Sequence, residues 1–242
     1  MKRMKVNVVM PMLGGGTRMR NVQPTCKPLM TLPTGERFFM KALTSLENYE
    51  IQTLVLVVLE DYVQEFKQLL PEIRNVAHVN QIHLVGHAST KNPVESFRVG
   101  VETLWMVYNR NLPLFCLDCD VYGVVPSHDF IEIESIVNRV GHLFYFESDN
   151  PNKSYIQTTV DGNCVTEIAE KQVISNKAIM GAYLFEDLVL LHKILMHSCV
   201  HLEYISDIFK EMIKMPNVGV GASPVDKVTN FGTVEELEQY GK

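Results

Sequence analysis

Near its start the chain sets three successive glycines, Gly14, Gly15 and Gly16, then Thr17 and Arg18, and shortly afterwards Lys27 followed by Pro28. Glycine carries no Cβ, so the amide N–H groups of such a run can approach phosphate oxygens closely and form a concave anion site. Arg18 and Lys27 add the positive charge that exposed amides alone lack. Far along the chain, Asp118-Cys119-Asp120 supplies two hard carboxylates. Such a pair suits Mg²⁺, which takes one or two carboxylates and fills the rest of its shell with phosphate oxygens and water. A phosphate cradle, cations and metal carboxylates together suggest chemistry on a polyphosphate, where charge repulsion is the obstacle and electrostatic stabilisation the remedy.

These residues need a scaffold that brings them to one place. Residues 6–12, 53–59, 81–85 and 113–117 are short apolar or β-rich runs bounded by turn residues. Between them, residues 38–46, 62–70 and 94–108 carry apolar side chains at helical spacing, the second ending before Pro71. Alternation of strand and helix predicts an α/β fold with a mainly parallel, Rossmann-like sheet covered by helices on both faces. Ligands then belong beyond the carboxyl ends of the strands. The glycine run leaves the first such end, and Asp118 and Asp120 leave that of 113–117.

The pattern changes near residue 140. Residues 142–147, 154–160 and 164–170 read as strands of an antiparallel insertion, with Asp161-Gly162-Asn163 as a hairpin turn. Residues 178–186 return to an apolar strand. Helices are expected over 187–197 and 203–215, then a strand over 218–222 and a helix over 233–240 capped by Thr233. One domain, residues 1–242, is expected, in two halves of about 1–140 and about 141–242.

Two familiar glycine loops are excluded. A Walker loop needs lysine after the last glycine, and Thr17 stands there; a dinucleotide fingerprint needs glycine where Met19 stands. What remains is Gly-x-Gly-Thr-Arg with a downstream Lys-Pro-Leu. This combination resembles the sugar-phosphate nucleotidyltransferases, and residues 10–19 look most like the subgroup written Pro-Met-Ala-Gly-x-Gly-Ser-Arg, with Leu13 for the alanine and Thr17 for the serine. The resemblance implies a glycosyltransferase A type, nucleotide-diphospho-sugar transferase fold with a small antiparallel subregion on the acceptor side. It implies an enzyme that joins a nucleoside triphosphate to a sugar 1-phosphate or similar monoester, releases pyrophosphate and uses Mg²⁺, or Mn²⁺ in its place. Nucleotide sugar and polysaccharide biosynthesis are the processes such enzymes serve.

Carried over residue by residue, the resemblance makes Arg18, Lys27 and Asp120 catalytic. Met12, Leu13, the three glycines and Thr17 would bind nucleotide, with Asn92, Pro93 and Glu95 at a helix start where free amides face the nucleoside. Glu170 and Lys171 match a Glu-Lys pair that holds acceptor hydroxyls and acceptor phosphate, and Gly181 and Tyr183 match the Gly-x-Tyr that follows. Asp120 matches the metal aspartate best, and Asp118 is the secondary candidate. The last metal position falls on Asn230, in Asn230-Phe231-Gly232-Thr233-Val234, where the family has an aspartate. An amide oxygen can coordinate a hard cation but brings no charge. The Asp-x-Asp pair also fits metal-dependent glycosyltransferases, which do not usually carry this N-terminal loop. A phosphocholine or phospho-amino-acid cytidylyltransferase and a non-catalytic nucleotide-binding relative are the other readings.

Composition bounds these ideas. Of 242 residues, 46% are hydrophobic and 21% charged, with a net charge of −6, which suits a globular chain and argues against general nucleic-acid affinity. No apolar run approaches the roughly 18 residues of a membrane span, and the first strand reads as buried rather than as a signal peptide. Five scattered cysteines suggest reduced thiols in the cytoplasm. Cys116-Leu117-Asp118-Cys119 lacks a second cysteine pair or a nearby histidine, which argues against zinc. The expected partners are a nucleoside triphosphate and a phosphorylated small molecule, with no nucleic acid and no membrane; a homo-oligomer is compatible with the sequence.

Overall fold

The computed structural model describes residues 3–14, 16, 19, 22–107, 111–127, 138–198 and 201–240. In chain order, β1 (Met4–Met12), α1 (Phe38–Leu43), β2 (Tyr49–Leu59), α2 (Val63–Ala77), β3 (Gln81–His87), α3 (Pro93–Val107) and β4 (Leu114–Leu117) build the first half. Then come β5 (Val121–Tyr122), β6 (Arg139–Glu147), β7 (Ser154–Thr158), β8 (Val165–Glu170) and β9 (Lys177–Phe185). Helices α4 (Leu188–Ser198) and α5 (Ile205–Ile213), strands β10 (Gly219–Pro224) and β11 (Thr229–Asn230), and α6 (Val234–Gln239) close the described chain.

The central sheet runs β10-β6-β9-β4-β1-β2-β3. Strands β3, β2, β1 and β4 are mutually parallel, β9 is antiparallel to both its neighbours, and β6 is parallel to β10. The near-continuous apolar strands follow from burial on both faces. Val6, Val8 and Met10 of β1 pack with Phe39 and Phe66 on one side, whereas Val9 packs with Val94, Phe97 and Val101 of α3 on the other. At Gly100 a Cβ would overlap a Val9 methyl and stand 3.0 Å from one of Val57, so glycine lets α3 lie directly on β1 and β2.

Two expectations are corrected. The α2 helix does not stop before Pro71 but passes through it to Ala77. Phe66 before the proline and Ile73 after it are both buried, and that anchorage on each side outweighs the lost backbone hydrogen bond. Residues 142–147 do not belong to an antiparallel insertion: β6 lies inside the central sheet between β9 and β10. Its Leu143 and Phe144 are fully buried, one in each of the two cores, as an interior strand requires. Among the described strands of this sheet, the β7–β8 hairpin alone leaves the path, touching β9 through the pairing of Tyr155 with Ala178, while β5 and β11 pair separately. Its turn uses Gly162 at φ +79, with the Asp161 carboxylate accepting from the Asn163 amide at 3.1 Å.

Candidate active site

The carboxylates stand where β4 ends. The Asp118 amide donates to the Gly181 carbonyl of β9 at 2.9 Å, holding the chain against that strand as it leaves the sheet. Gly181 has φ +96, and a Cβ on it would lie 2.6 Å from Asp118 Oδ2. Glycine is therefore required there twice, for backbone conformation and for room. Two residues on, the Asp120 carbonyl accepts from the Phe231 amide at 3.0 Å, beside the antiparallel pairing of Val121 with Asn230. A Cβ on Gly232 would overlap Asp120 Oδ2 and stand 3.1 Å from Lys27 Nζ, so both carboxylates sit in space that a glycine keeps open.

Lys27 reaches Asp120 from the opposite wall and donates to its Oδ2. A single 3-10 turn, Lys27–Leu29, fixes its backbone, with Pro28 preset for the first turn and Pro28 and Leu29 buried. Gly16, at φ +55, packs so closely that a Cβ would come 2.9 Å from the Lys27 Cβ. The Lys27 and Asp120 side chains are 22% and 28% exposed, shielded enough for a strong pair yet open to a ligand.

Burial pushes the Asp118 carboxyl well above the usual carboxylate range, and the neighbouring Asp120 charge adds to this. Burial acts on Asp120 in the same direction, but the charge and hydrogen bond of Lys27 overcome it and hold this carboxyl low. Lys27 itself is raised: burial opposes its charge, and Asp120, with Cys119 and Asp118 behind it, more than compensates. Asp118 therefore resists ionisation where it stands, and a cation arriving beside it would favour the charged form. Cys116 and Cys119 are pushed up chiefly by burial and stay as neutral thiols.

Two cavities flank the Lys27–Asp120 pair. One is bounded by Pro11, Met12, Gly14, Gly16, Lys27 and Gly232. The other, about 220 Å³, is bounded by Asp118, Asp120, Lys153, Glu170, Tyr183 and Asn230, with Pro93, Ser154, Gly181, Tyr204 and Glu236 around them. A third opens beside it at the start of α3, where Asn92, Pro93 and Glu95 meet Tyr204.

Most residues singled out in the sequence therefore meet around one cleft. Gly15, Thr17 and Arg18 lie outside the described residues. The Leu13 side chain is buried against the α3 face and turns away from the cleft. Asn92 caps α3, its Oδ1 accepting from the Glu95 amide at 2.9 Å, while Glu95 accepts from the Lys91 amide at 3.0 Å. Glu170 accepts from the hydroxyls of Ser154 and, at 3.0 Å, Ser206. The Tyr183 hydroxyl is raised far above its ordinary range by burial and by Asp118, so it remains a neutral phenol. Lys171, at φ +52, is exposed and sends its ammonium to the Tyr204 hydroxyl at 2.5 Å and over that ring at 4.6 Å; Tyr204 borders the cavity, and Lys171 itself is not among the residues that line it.

Sequence reasoning missed Lys153. Its ammonium donates to Asn230 Oδ1 at 2.9 Å and to Glu236 Oε1 at 3.0 Å. The other Glu236 oxygen accepts from the amides of Gly232 at 3.0 Å and Thr233 at 3.1 Å, the reciprocal half of a capping box that Thr233 closes at 3.2 Å. Thr233-x-x-Glu236 was a readable signal that Glu236 folds back onto this loop; nothing local marked Lys153. Among the described residues no three His, Cys, Asp or Glu side chains converge as a ready metal cage. Asp118 and Asp120 fit a Mg²⁺ that completes its shell with water and phosphate, while the Asn230 oxygen is engaged by Lys153.

No described helix is long and apolar enough to cross a membrane. No family model and no curated protein sequence matches the chain. Solved structures do. A nucleoside-diphosphate-sugar pyrophosphorylase from Vibrio cholerae superposes at TM-score 0.77 with 19% identity, over 96% of this chain and 98% of its own. The inositol-1-phosphate CTP transferase of T. maritima does so at 0.74 and 16%, over 97% and 92%. A UDP-glucose pyrophosphorylase complexed with UDP-glucose does so at 0.71 and 16%, over 98% and 97%. At these identities the likeness is one of architecture, and the chain has the mixed α/β, nucleotide-diphospho-sugar transferase fold.

Proposed function

We propose that the chain is a nucleotidyltransferase that joins a nucleoside triphosphate to a sugar 1-phosphate or similar small phosphate monoester and releases pyrophosphate. One observation carries the reading: a glycine-walled cavity and a carboxylate-rich cavity meet across the Lys27–Asp120 pair. The names of the similar structures, a nucleoside-diphosphate-sugar pyrophosphorylase, a UDP-glucose pyrophosphorylase and an inositol-1-phosphate CTP transferase, support it. In this reading the amides around Gly14 and Gly16 hold the triphosphate, and Arg18 stabilises the departing pyrophosphate. Lys27 neutralises charge at the α-phosphate. An acceptor phosphate oxygen attacks the α-phosphorus as the bond to the β-phosphate oxygen breaks, so pyrophosphate leaves and no proton need be abstracted. Bound at Asp118 and Asp120, Mg²⁺ would supply Lewis-acid charge to the phosphate oxygens. Glu170, steadied by Ser154 and Ser206, and the neutral Tyr183 hydroxyl offer polar contacts to acceptor hydroxyls.

The test is pyrophosphate release with each common nucleoside triphosphate and Mg²⁺ against phosphorylated sugars, phosphocholine, inositol phosphate and phospho-amino-acids. Release that needs both substrates supports the reading and names them. Release of a nucleoside diphosphate from a nucleotide sugar would instead make the chain a glycosyltransferase, and tight nucleotide binding without turnover would make it a non-catalytic relative.

A further inference from the structure

A phosphate monoester carries up to two negative charges, and the acceptor-side cavity is lined by Asp118, Asp120, Glu170 and Glu236. A phosphate cannot enter such a wall without a cation to meet it. Lys27 faces the glycine-walled cavity and is committed to Asp120. Among the described residues lining the acceptor-side cavity, Lys153 is the one cationic side chain.

We infer that Lys153, rather than Lys171, is the residue that binds the acceptor's phosphate; the inference rests on the nucleotidyl-transfer reading above. The ammonium is held in place and is not saturated. Asn230 Oδ1 and Glu236 Oε1 take two of its three donors, which leaves one for a ligand oxygen. Its backbone is fixed too, because the Lys153 carbonyl accepts from the Lys171 amide at 3.1 Å and the next residue, Ser154, donates to Glu170. Lys171 is tied to this frame through its amide, while its ammonium is engaged by the hydroxyl and ring of Tyr204.

The same contacts give a reason for asparagine at position 230. An aspartate there would place Lys153 between two carboxylates and leave the group with net negative charge. The neutral amide accepts the same hydrogen bond and leaves the Lys153–Asn230–Glu236 group electrically neutral before substrate arrives. An incoming phosphate then meets a positioned ammonium at less electrostatic cost.

The test follows inorganic phosphate binding by ³¹P NMR titration, alongside equilibrium dialysis of CTP, UTP, ATP and dTTP, for the wild type and four variants. Lys153→Gln should weaken phosphate binding about tenfold or more, the loss of one charge-assisted hydrogen bond, with triphosphate binding unchanged. Lys153→Arg should recover most of it, and Lys171→Gln should change it by less than about twofold. Asn230→Asp, which keeps the lysine, should weaken phosphate several-fold, roughly as added negative charge nearby dictates. In turnover assays the Lys153→Gln loss should fall on the acceptor KM and spare the triphosphate KM.

Loss of phosphate binding in Lys171→Gln with retention in Lys153→Gln would overturn the inference. So would an equal loss of triphosphate binding in Lys153→Gln, or a wild type that binds no phosphate. If Lys153→Gln does not fold, Asn230→Asp decides alone, and unchanged phosphate affinity there overturns it. A wild type that binds phosphate through Lys153 yet releases no pyrophosphate with any substrate pair would remove the transfer reading and leave the anion site standing.

Discussion

The two walls of the cleft are made differently. The glycine-walled side comes largely from one short stretch, the end of β1 with Gly14, Gly16 and the Lys27 turn, and three of its described lining residues are glycines that leave backbone uncovered. The acceptor side draws Asp118 and Asp120 from after β4, Lys153 from before β7, Glu170 from β8, Tyr183 from β9 and Glu236 from α6. A wall of backbone recognises what all nucleoside triphosphates share, their phosphates. A wall of side chains gathered from many elements can be altered one residue at a time, which is where selectivity for one acceptor would reside.

The contact between the walls is the place to break this division most severely. Asp120→Ala removes the carboxylate through which one cavity meets the Lys27 of the other and strands that lysine, and should lower pyrophosphate release by about a thousandfold or more with an unchanged circular dichroism spectrum. Arg18→Ala and Lys27→Ala should fail comparably, and wild-type-like rates in Asp120→Ala would dissolve the shared contact altogether. Gly181→Ala is the next test. A methyl at φ +96 against Asp118 Oδ2 should cost about 1–3 kcal/mol in stability and reduce turnover by roughly a hundredfold through the displaced carboxylate. A smaller effect should sharpen the comparison: Asn92→Ala uncaps α3 and should cost about 1 kcal/mol in a urea melt while leaving both substrate KM values within about twofold. A large rise in triphosphate KM there would show that the Asn92 side chain faces nucleotide as well as helix.

How much could be read beforehand follows the same division. The glycine run, the strand that feeds it, the aspartates at the end of β4 and the Thr233 cap are local, and local spacing announces them. Phe66 and Ile73 show why α2 was misjudged: proline is a local stop signal, but burial on both sides of Pro71 is a tertiary fact. Strand β6 misled for a related reason, since an apolar run states that a strand is buried without naming its neighbours. Lys153 stood beyond reach because its two partners lie on β11 and α6 and come to it only through the order of strands and helices. Asn92 and Glu95 carried a type and spacing shared by ligand contacts and helix caps, and the hydrogen bonds alone reveal the capping.

The antiparallel pairing of β4 with β9 has a consequence for how the reaction would be timed. Cys116 faces Tyr183 and Leu117 faces Ala182 along one ladder, so the strand that delivers the carboxylates and the strand that lines the acceptor side are hydrogen-bonded to each other. A slip of one residue would turn Tyr183 to the opposite face of the sheet, and the buried side chains on both faces forbid it. In the proposed transfer, the groups carried by these two strands would keep a relation set once, during folding. Catalytic cycles would then be limited by filling and emptying the cleft, not by assembling it.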